Sequence, residues 1–200
     1  RFILRTAVKK ASLIIAGSEN TKKDLIKHLN VPEEKIRVIY QGVGPEFKKI
    51  NGTSALEEDA ISLHGCKKRY SLPDKFILFV GNIRPHKNVY NLVKAFLELR
   101  SARKIPHKLV LVGKKDLRFP EIRELFNLIE KNKEDIIYLG EIREEDLIPI
   151  YNLSDLFVFP SLYEGFGFPP LEAMACGVAV IAMRSSSLPE VVGDGGMLID

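Results

Sequence analysis

Two apolar runs, Phe76-Ile-Leu-Phe-Val80 and Leu109-Val-Leu-Val112, each end on a glycine, Gly81 and Gly113. A run this short with no polar alternation fits a strand buried on both faces, and such strands belong to parallel sheets covered by helices. Between the two, Val89, Leu92, Val93, Phe96 and Leu97 recur at helical spacing. The pattern continues with helical residues 121–131, a strand at 135–139 and a short helix at 144–151. A strand at 156–159, helical residues 171–175, a strand at 178–181 and a last helix at 188–192 complete it. Strands and helices thus alternate five times after residue 75, which predicts an α/β fold with a doubly wound parallel sheet. Ligands of such sheets bind where strand ends lead into helix starts, so candidate functional residues are expected at those junctions.

The chain before residue 75 reads differently. Residues 11–16 are a short apolar strand, and Ser18-Glu-Asn-Thr21 offers capping residues to a helix over 22–29. Val31-Pro32 stops that helix, and residues 35–40 alternate as a strand. This opening is a β-α-β unit with no sheet of its own to join. Residues 46–74 show little periodicity and read as a linker with one short helix. The expected organisation is therefore 1–45, a β-α-β unit; 46–74, a linker; and 75–200, the ligand-binding domain. Asn51-Gly-Thr53 matches a glycosylation sequon, but no secretory signal accompanies it, and it reads as a turn.

Composition narrows the partners. At 46% hydrophobic and 28% charged the chain has globular proportions. No apolar run approaches the roughly 20 residues of a membrane span, and the N-terminal apolar stretch is too short for a signal peptide. The chain opens on Arg1 rather than Met, so a piece of a longer protein is expected. Residues 1–50 hold eleven Lys/Arg against five Asp/Glu, within a net charge of +4. That basic opening fits either a solvated helix face or peripheral contact with an anionic membrane surface. No aromatics interleave with it, so nucleic acid is not expected. Cys66 and Cys176 lack metal spacing and read as small buried thiols of a reduced, cytoplasmic protein.

Three strand-to-helix junctions carry candidate chemistry. In Gly81-Asn-Ile-Arg84-Pro-His86-Lys87-Asn88, a sharp turn sets cationic donors beside a helix start, as a diphosphate requires; the plainer reading is a solvated basic loop. A P-loop and a dinucleotide-type glycine fingerprint are both absent. In Glu164-Gly-Phe-Gly-Phe-Pro-Pro-Leu-Glu172, two carboxylates frame a Gly-aromatic-Gly turn that leaves amides approachable, and each carboxylate suits the vicinal hydroxyls of a sugar ring. Dipole compensation by Glu172 explains the charges but not the pairing. In Arg184-Ser-Ser-Ser187-Leu-Pro-Glu190, the serines suit a phosphate, while Ser187 reads more simply as a helix cap.

Glu164-x7-Glu172, with Ser161 before it and Ala173-Met-Ala-Cys-Gly-Val178 after it, resembles the retaining glycosyltransferases of family four, which have the GT-B fold. Residues 80–88, 138–140 and 187–194 follow in that family's order. Residues 11–44 resemble its last N-domain unit, and the remainder the Rossmann-like C-terminal half. The resemblance implies that Glu164 contacts hydroxyls of the donor hexose and Lys87 neutralises the diphosphate. Phe166 and Gly167 would lend main-chain donors, and Glu172 would hold the ribose. The base would lie near Glu141 and Ile142, and Gly81, Asn82, Phe168 and Leu171 would complete the donor site. Asn82 stands where the family often has arginine, so Arg84 is the substitute expected at the diphosphate. No Asp-x-Asp motif is present, and neither metal nor cofactor is expected. The loop forms look most like bacterial or archaeal mannosyltransferases, which favours GDP-mannose as donor. A glycogen-synthase-type glucosyltransferase and a non-catalytic nucleotide-sugar-binding module are the alternatives. A glycan or lipid-linked acceptor would bind through an N-terminal domain represented here only by its final unit, so this chain alone is expected to bind donor weakly and transfer little sugar.

Overall fold

The computed structural model describes residues 2–50 and 57–200, so the Asn51-Gly-Thr53 sequon lies outside the described residues. The larger sheet holds β3 (Phe76–Val80), β4 (Lys108–Val112), β5 (Ile136–Gly140), β6 (Leu156–Phe159), β7 (Val180–Met183) and β8 (Met197–Ile199). All its pairings are parallel, in the order β5-β4-β3-β6-β7-β8. Counted from β3, that is 3-2-1-4-5-6, the order of a doubly wound sheet. Its flanking helices are α3 (Glu57–Arg69), α4 (Val89–Ser101), α5 (Pro120–Lys131), α6 (Glu144–Leu153), α7 (Phe168–Ala175) and α8 (Leu188–Val192).

The local reasons are visible in the sequence. Phe76, Leu78 and Phe79 of β3, on both faces of the strand, are almost wholly buried, as a two-sided apolar run requires. Val89, Val93 and Phe96 of α4 are the buried residues of that helix, and Ile122, Leu125 and Ile129 those of α5. Both sets keep the three- to four-residue spacing of a single helical face.

Several boundaries differ from the sequence reading. A sixth strand, β8, pairs with β7; only three residues long and partly exposed, it gives too weak a periodicity to read. The 46–74 segment contains the 13-residue α3, whose Cys66 lies in the large core. Arg69 pairs with the buried Asp146 of α6, and the Tyr70 hydroxyl donates to the same carboxylate at 2.8 Å. Helix α7 starts at Phe168, not residue 171, because proline is well accommodated in a first helical turn.

The opening unit forms a sheet of its own. β1 (Ile14–Ala16) and β2 (Ile36–Val38) pair in parallel, with α1 (Phe2–Lys10) before them and α2 (Glu19–Leu29) between them. Ala16, Val31 and Ile36 form its small core, separate from the large one. Among the described residues no helix is long and apolar enough to cross a membrane. Cys66 and Cys176 are free and buried, and burial pushes both thiols up to about 11.

Candidate functional site

β3 and β6 lie side by side, but the chain leaves them in opposite directions, β3 towards β4 and β6 towards β7. Their carboxyl ends therefore open into a crevice, the place where doubly wound sheets hold ligands. The loop after β3 is 81–88 and the loop after β6 is 160–167, so topology alone unites the first two candidate junctions. The Leu162 amide donates to the His86 carbonyl at 2.8 Å and stitches the loops together.

At this crevice the Lys87 ammonium pairs with the Glu164 carboxylate, both side chains only 15% exposed. Lys87 Nζ also lies 5.1 Å from the centroid of the Phe159 ring, a cation–π contact that steadies the charge where water is scarce. Arg84 goes elsewhere. Its Nε is 3.4 Å from Asp116, which also takes two hydrogen bonds from the Arg118 guanidinium, at 2.8 and 2.6 Å. Arg118 first, with Arg84 adding to it, holds the Asp116 carboxyl down at about 2.

The Glu164–Gly167 loop is held by hydroxyls. Ser186 accepts from the Glu164 amide at 2.8 Å, and Ser187 donates to the carbonyls of Glu164, at 3.0 Å, and of Phe166. Ser185 donates to the Ser161 carbonyl at 2.8 Å. The Gly165 carbonyl accepts from Ser18 at 2.6 Å and Thr21 at 2.9 Å, across from the smaller unit. Ser185 and Ser187 thus spend their O–H groups on protein carbonyls, which corrects the readings made of them: those two protons are not offered to a phosphate, and Ser187 makes no side-chain cap. With every carbonyl from 164 to 166 engaged, the amides of Gly165, Phe166 and Gly167 have no protein acceptor among the described residues. Backbone amides without a protein acceptor are available to an anion. Gly167 is required here, since its φ is +126° and a Cβ would come within 2.9 Å of Leu188.

Glu172 sits half-buried in the second turn of α7. The fully buried Tyr151 donates its hydroxyl to one Glu172 oxygen at 2.8 Å, and the other accepts from no group among the described residues. Burial raises the carboxyl pKa; the Tyr151 hydrogen bond opposes the shift and the Glu46 charge adds to it. Glu172 therefore favours stability most below its unfolded value near 4.5 and loses that contribution as pH climbs through its raised folded value. Tyr151→Phe is expected to move the Glu172 titration further up, and an unchanged midpoint in a carboxyl-carbon NMR titration would rule out the coupling.

Gly81, Asn82, Glu141 and Ile142 share one cavity of about 360 Å³ at the ends of β3, β4 and β5, with Val112, Lys114 and Leu147 among its other walls. Lys114 lies 3.8 Å from Glu141. Phe166 and Phe168 meet edge to face, with centroids 5.3 Å apart. Among the described residues no three His, Cys, Asp or Glu side chains gather as metal ligands. Sequence reasoning missed Tyr151, Asp116, Ser18 and Thr21 as parts of this region; only the Ser18 capping pattern gave any signal.

Residues 67–200 match the family described as Glycosyl transferases group 1, and residues 1–47 that described as Glycosyltransferase Family 4. The chain is 35% identical over 188 residues to the serotype-specific mannosyltransferase WbdA of Escherichia coli, covering 92% of this chain and 22% of that protein. It is 32% identical over 200 residues to the O-antigen chain mannosyltransferase B of the same organism, covering 98% of this chain and 50% of that protein. Anabaena Alr3699/HepE, solved with UDP and glucose, superposes with a TM-score of 0.78 at 24% identity, over 98% of this chain and 52% of that one. The sucrose-phosphate synthase of Thermosynechococcus elongatus gives a TM-score of 0.74 at 25% identity, over 99% of this chain and 47% of that one. The chain thus spans about half, or less, of the length of these proteins.

Proposed function

Since the chain belongs to the group 1 glycosyl transferases, we propose that it supplies the donor site for retaining, metal-independent transfer of a hexose from a nucleoside-diphosphate sugar to a glycan or lipid-linked acceptor. GDP-mannose is the favoured donor, supported by the mannosyltransferases among the relatives. The reading rests above all on the Lys87–Glu164 pair, set in the crevice beside three acceptor-free amides.

The pair is a resting arrangement. A diphosphate draws Lys87 away, and the hexose hydroxyls then replace Lys87 as partners of Glu164. As the sugar–phosphate bond breaks, negative charge grows on the departing phosphate. Lys87 and the amides of Gly165, Phe166 and Gly167 stabilise it where they already stand. Pro169 and Pro170 have no N–H, so two of the donors a helix start ordinarily offers are missing from α7. More of the neutralisation consequently falls on Lys87, the role a metal fills in other transferases. The free oxygen of Glu172 suits a ribose hydroxyl, and the cavity of Glu141 and Ile142 takes the base.

Acceptor binding belongs in this proposal to a fuller N-terminal domain, with the protein cytoplasmic and peripheral at the membrane. In support of the last point, α1 exposes Ile3 and Leu4 beside Arg5, Lys9 and Lys10.

Calorimetric titration with GDP, UDP, ADP and their sugars, with and without a chelator, tests the donor site. GDP-mannose is expected to bind tightest, equally well in EDTA, and Glu172→Ala to weaken the nucleotide part. A folded protein that takes up none of these ligands at millimolar concentration would refute the reading.

A further inference from the structure

The two units keep separate hydrophobic cores, and the direct hydrogen bonds between them are polar contacts of few residues. Interfaces of that kind permit relative motion. What they hold is specific. Glu190, on α8, accepts from the amides of Glu19 at 2.8 Å and Asn20 at 3.0 Å, and from the Tyr40 hydroxyl at 3.1 Å. Ser18, wholly buried, accepts from the Thr21 amide at 3.0 Å. The first three amides of α2 are therefore satisfied, two of them only by a carboxylate of the other unit, at the helix end that favours an anion. On the same side, the hydroxyls of Ser18 and Thr21 reach the Gly165 carbonyl.

The direction of that carbonyl matters. In a trans peptide the C=O and the following N–H point opposite ways. Holding the Gly165 carbonyl towards α2 turns the Phe166 amide away from the smaller unit, while Ser187 fixes the peptides on either side. Free of α2, Gly165 has no side chain to restrain this peptide.

We propose that Ser18 and Thr21 are positioning residues, docked by Glu190, that orient the Gly165–Phe166 peptide so its amide meets the donor phosphate only when the two units are closed on each other. Coupling of domain closure to donor binding then runs through one peptide plane. The proposal rests on the donor-site reading above.

The test compares two ligands in the full-length protein: the diphosphate sugar that binds the wild type best among GDP-mannose, UDP-glucose and ADP-glucose, and the matching nucleoside monophosphate. Loss of one hydrogen bond to an anion site predicts that Thr21→Val weakens the diphosphate sugar by roughly five-fold or more. Monophosphate affinity should stay at the wild-type value, Thr21→Ser should restore diphosphate-sugar affinity, and Ser18→Ala/Thr21→Val should exceed the single variant. Equal weakening of both ligands overturns the proposal, because that marks general destabilisation. Undiminished binding of both ligands by the Ser18→Ala/Thr21→Val variant also overturns it and leaves the donor site standing. A wild type that binds neither ligand brings down the donor site, and this inference with it.

Discussion

Replacing Lys87 with alanine is expected to lower sugar transfer by about a hundred- to a thousand-fold, the range for removing one preorganised donor from a developing anion. Lys87 is the cation held against Glu164 at the crevice, and the two prolines at the start of α7 leave few amides to take over its charge. Most of the loss should appear in turnover. In titrations the variant should bind nucleoside diphosphates much more weakly and the nucleoside little differently. Arg84 offers no rescue while it is engaged with Asp116, 3.4 Å away. Lys87→Arg is expected to recover only part of the activity, because the larger guanidinium presents its donors in a fixed planar fork where the compact ammonium is a point charge. Transfer by Lys87→Ala within ten-fold of wild type would assign charge neutralisation to another group.

Lys87 and Glu164 were each legible as candidates because both follow apolar strands ended by loops of unusual composition. Their meeting was not legible from pattern alone. They are 77 positions apart in sequence, and they come together because β3 and β6 are neighbours in the sheet. Local periodicity reports which residues form strands; the order of those strands is decided by crossover packing. The same limit explains the serines. A hydroxyl before a helix start looks like a cap whether it bonds its own helix or, as with Ser187, the carbonyls of a loop more than twenty residues earlier. It explains Arg84 as well, since nothing in its own loop signals Asp116 across on the next one. The contacts from α2 to Gly165 and Glu190 span 144 to 171 positions, beyond the reach of any local pattern. What the sequence did display, the five strands, three of them ended by glycine, and the carboxylate pair, is what depends on short-range rules.

Gly113 shows how closely fold and site are joined. Its φ is +130°, and a Cβ there would overlap the carbonyl oxygen of Gly81, on the strand end that leads to Lys87. A shift that relieved the overlap would have to disturb the hydrogen bonds around it. The Gly113 amide donates to Gly140 at 2.8 Å, and its carbonyl accepts from Tyr138 at 3.0 Å. Gly81 donates to Val112 at 2.9 Å, and Ile83 donates to Lys114 at 2.8 Å. Backbone strain of about 1–3 kcal/mol and overpacking of about 1–3 kcal/mol put the cost of Gly113→Ala at roughly 2–6 kcal/mol. Against a typical total of about 5–15 kcal/mol, that is a large share. Urea unfolding should show a much lower midpoint at an unchanged slope. Gly42→Ala, whose added Cβ would meet nothing within 4 Å, should stay within about 0.5 kcal/mol of wild type. Should the two alanine variants unfold together, the tight apposition of the β3 and β4 loops would not be what fixes this end of the sheet. If Gly113→Ala alone is destabilised, its folded fraction should also bind diphosphates poorly, because the strain can be relieved only by displacing the loop that carries Lys87.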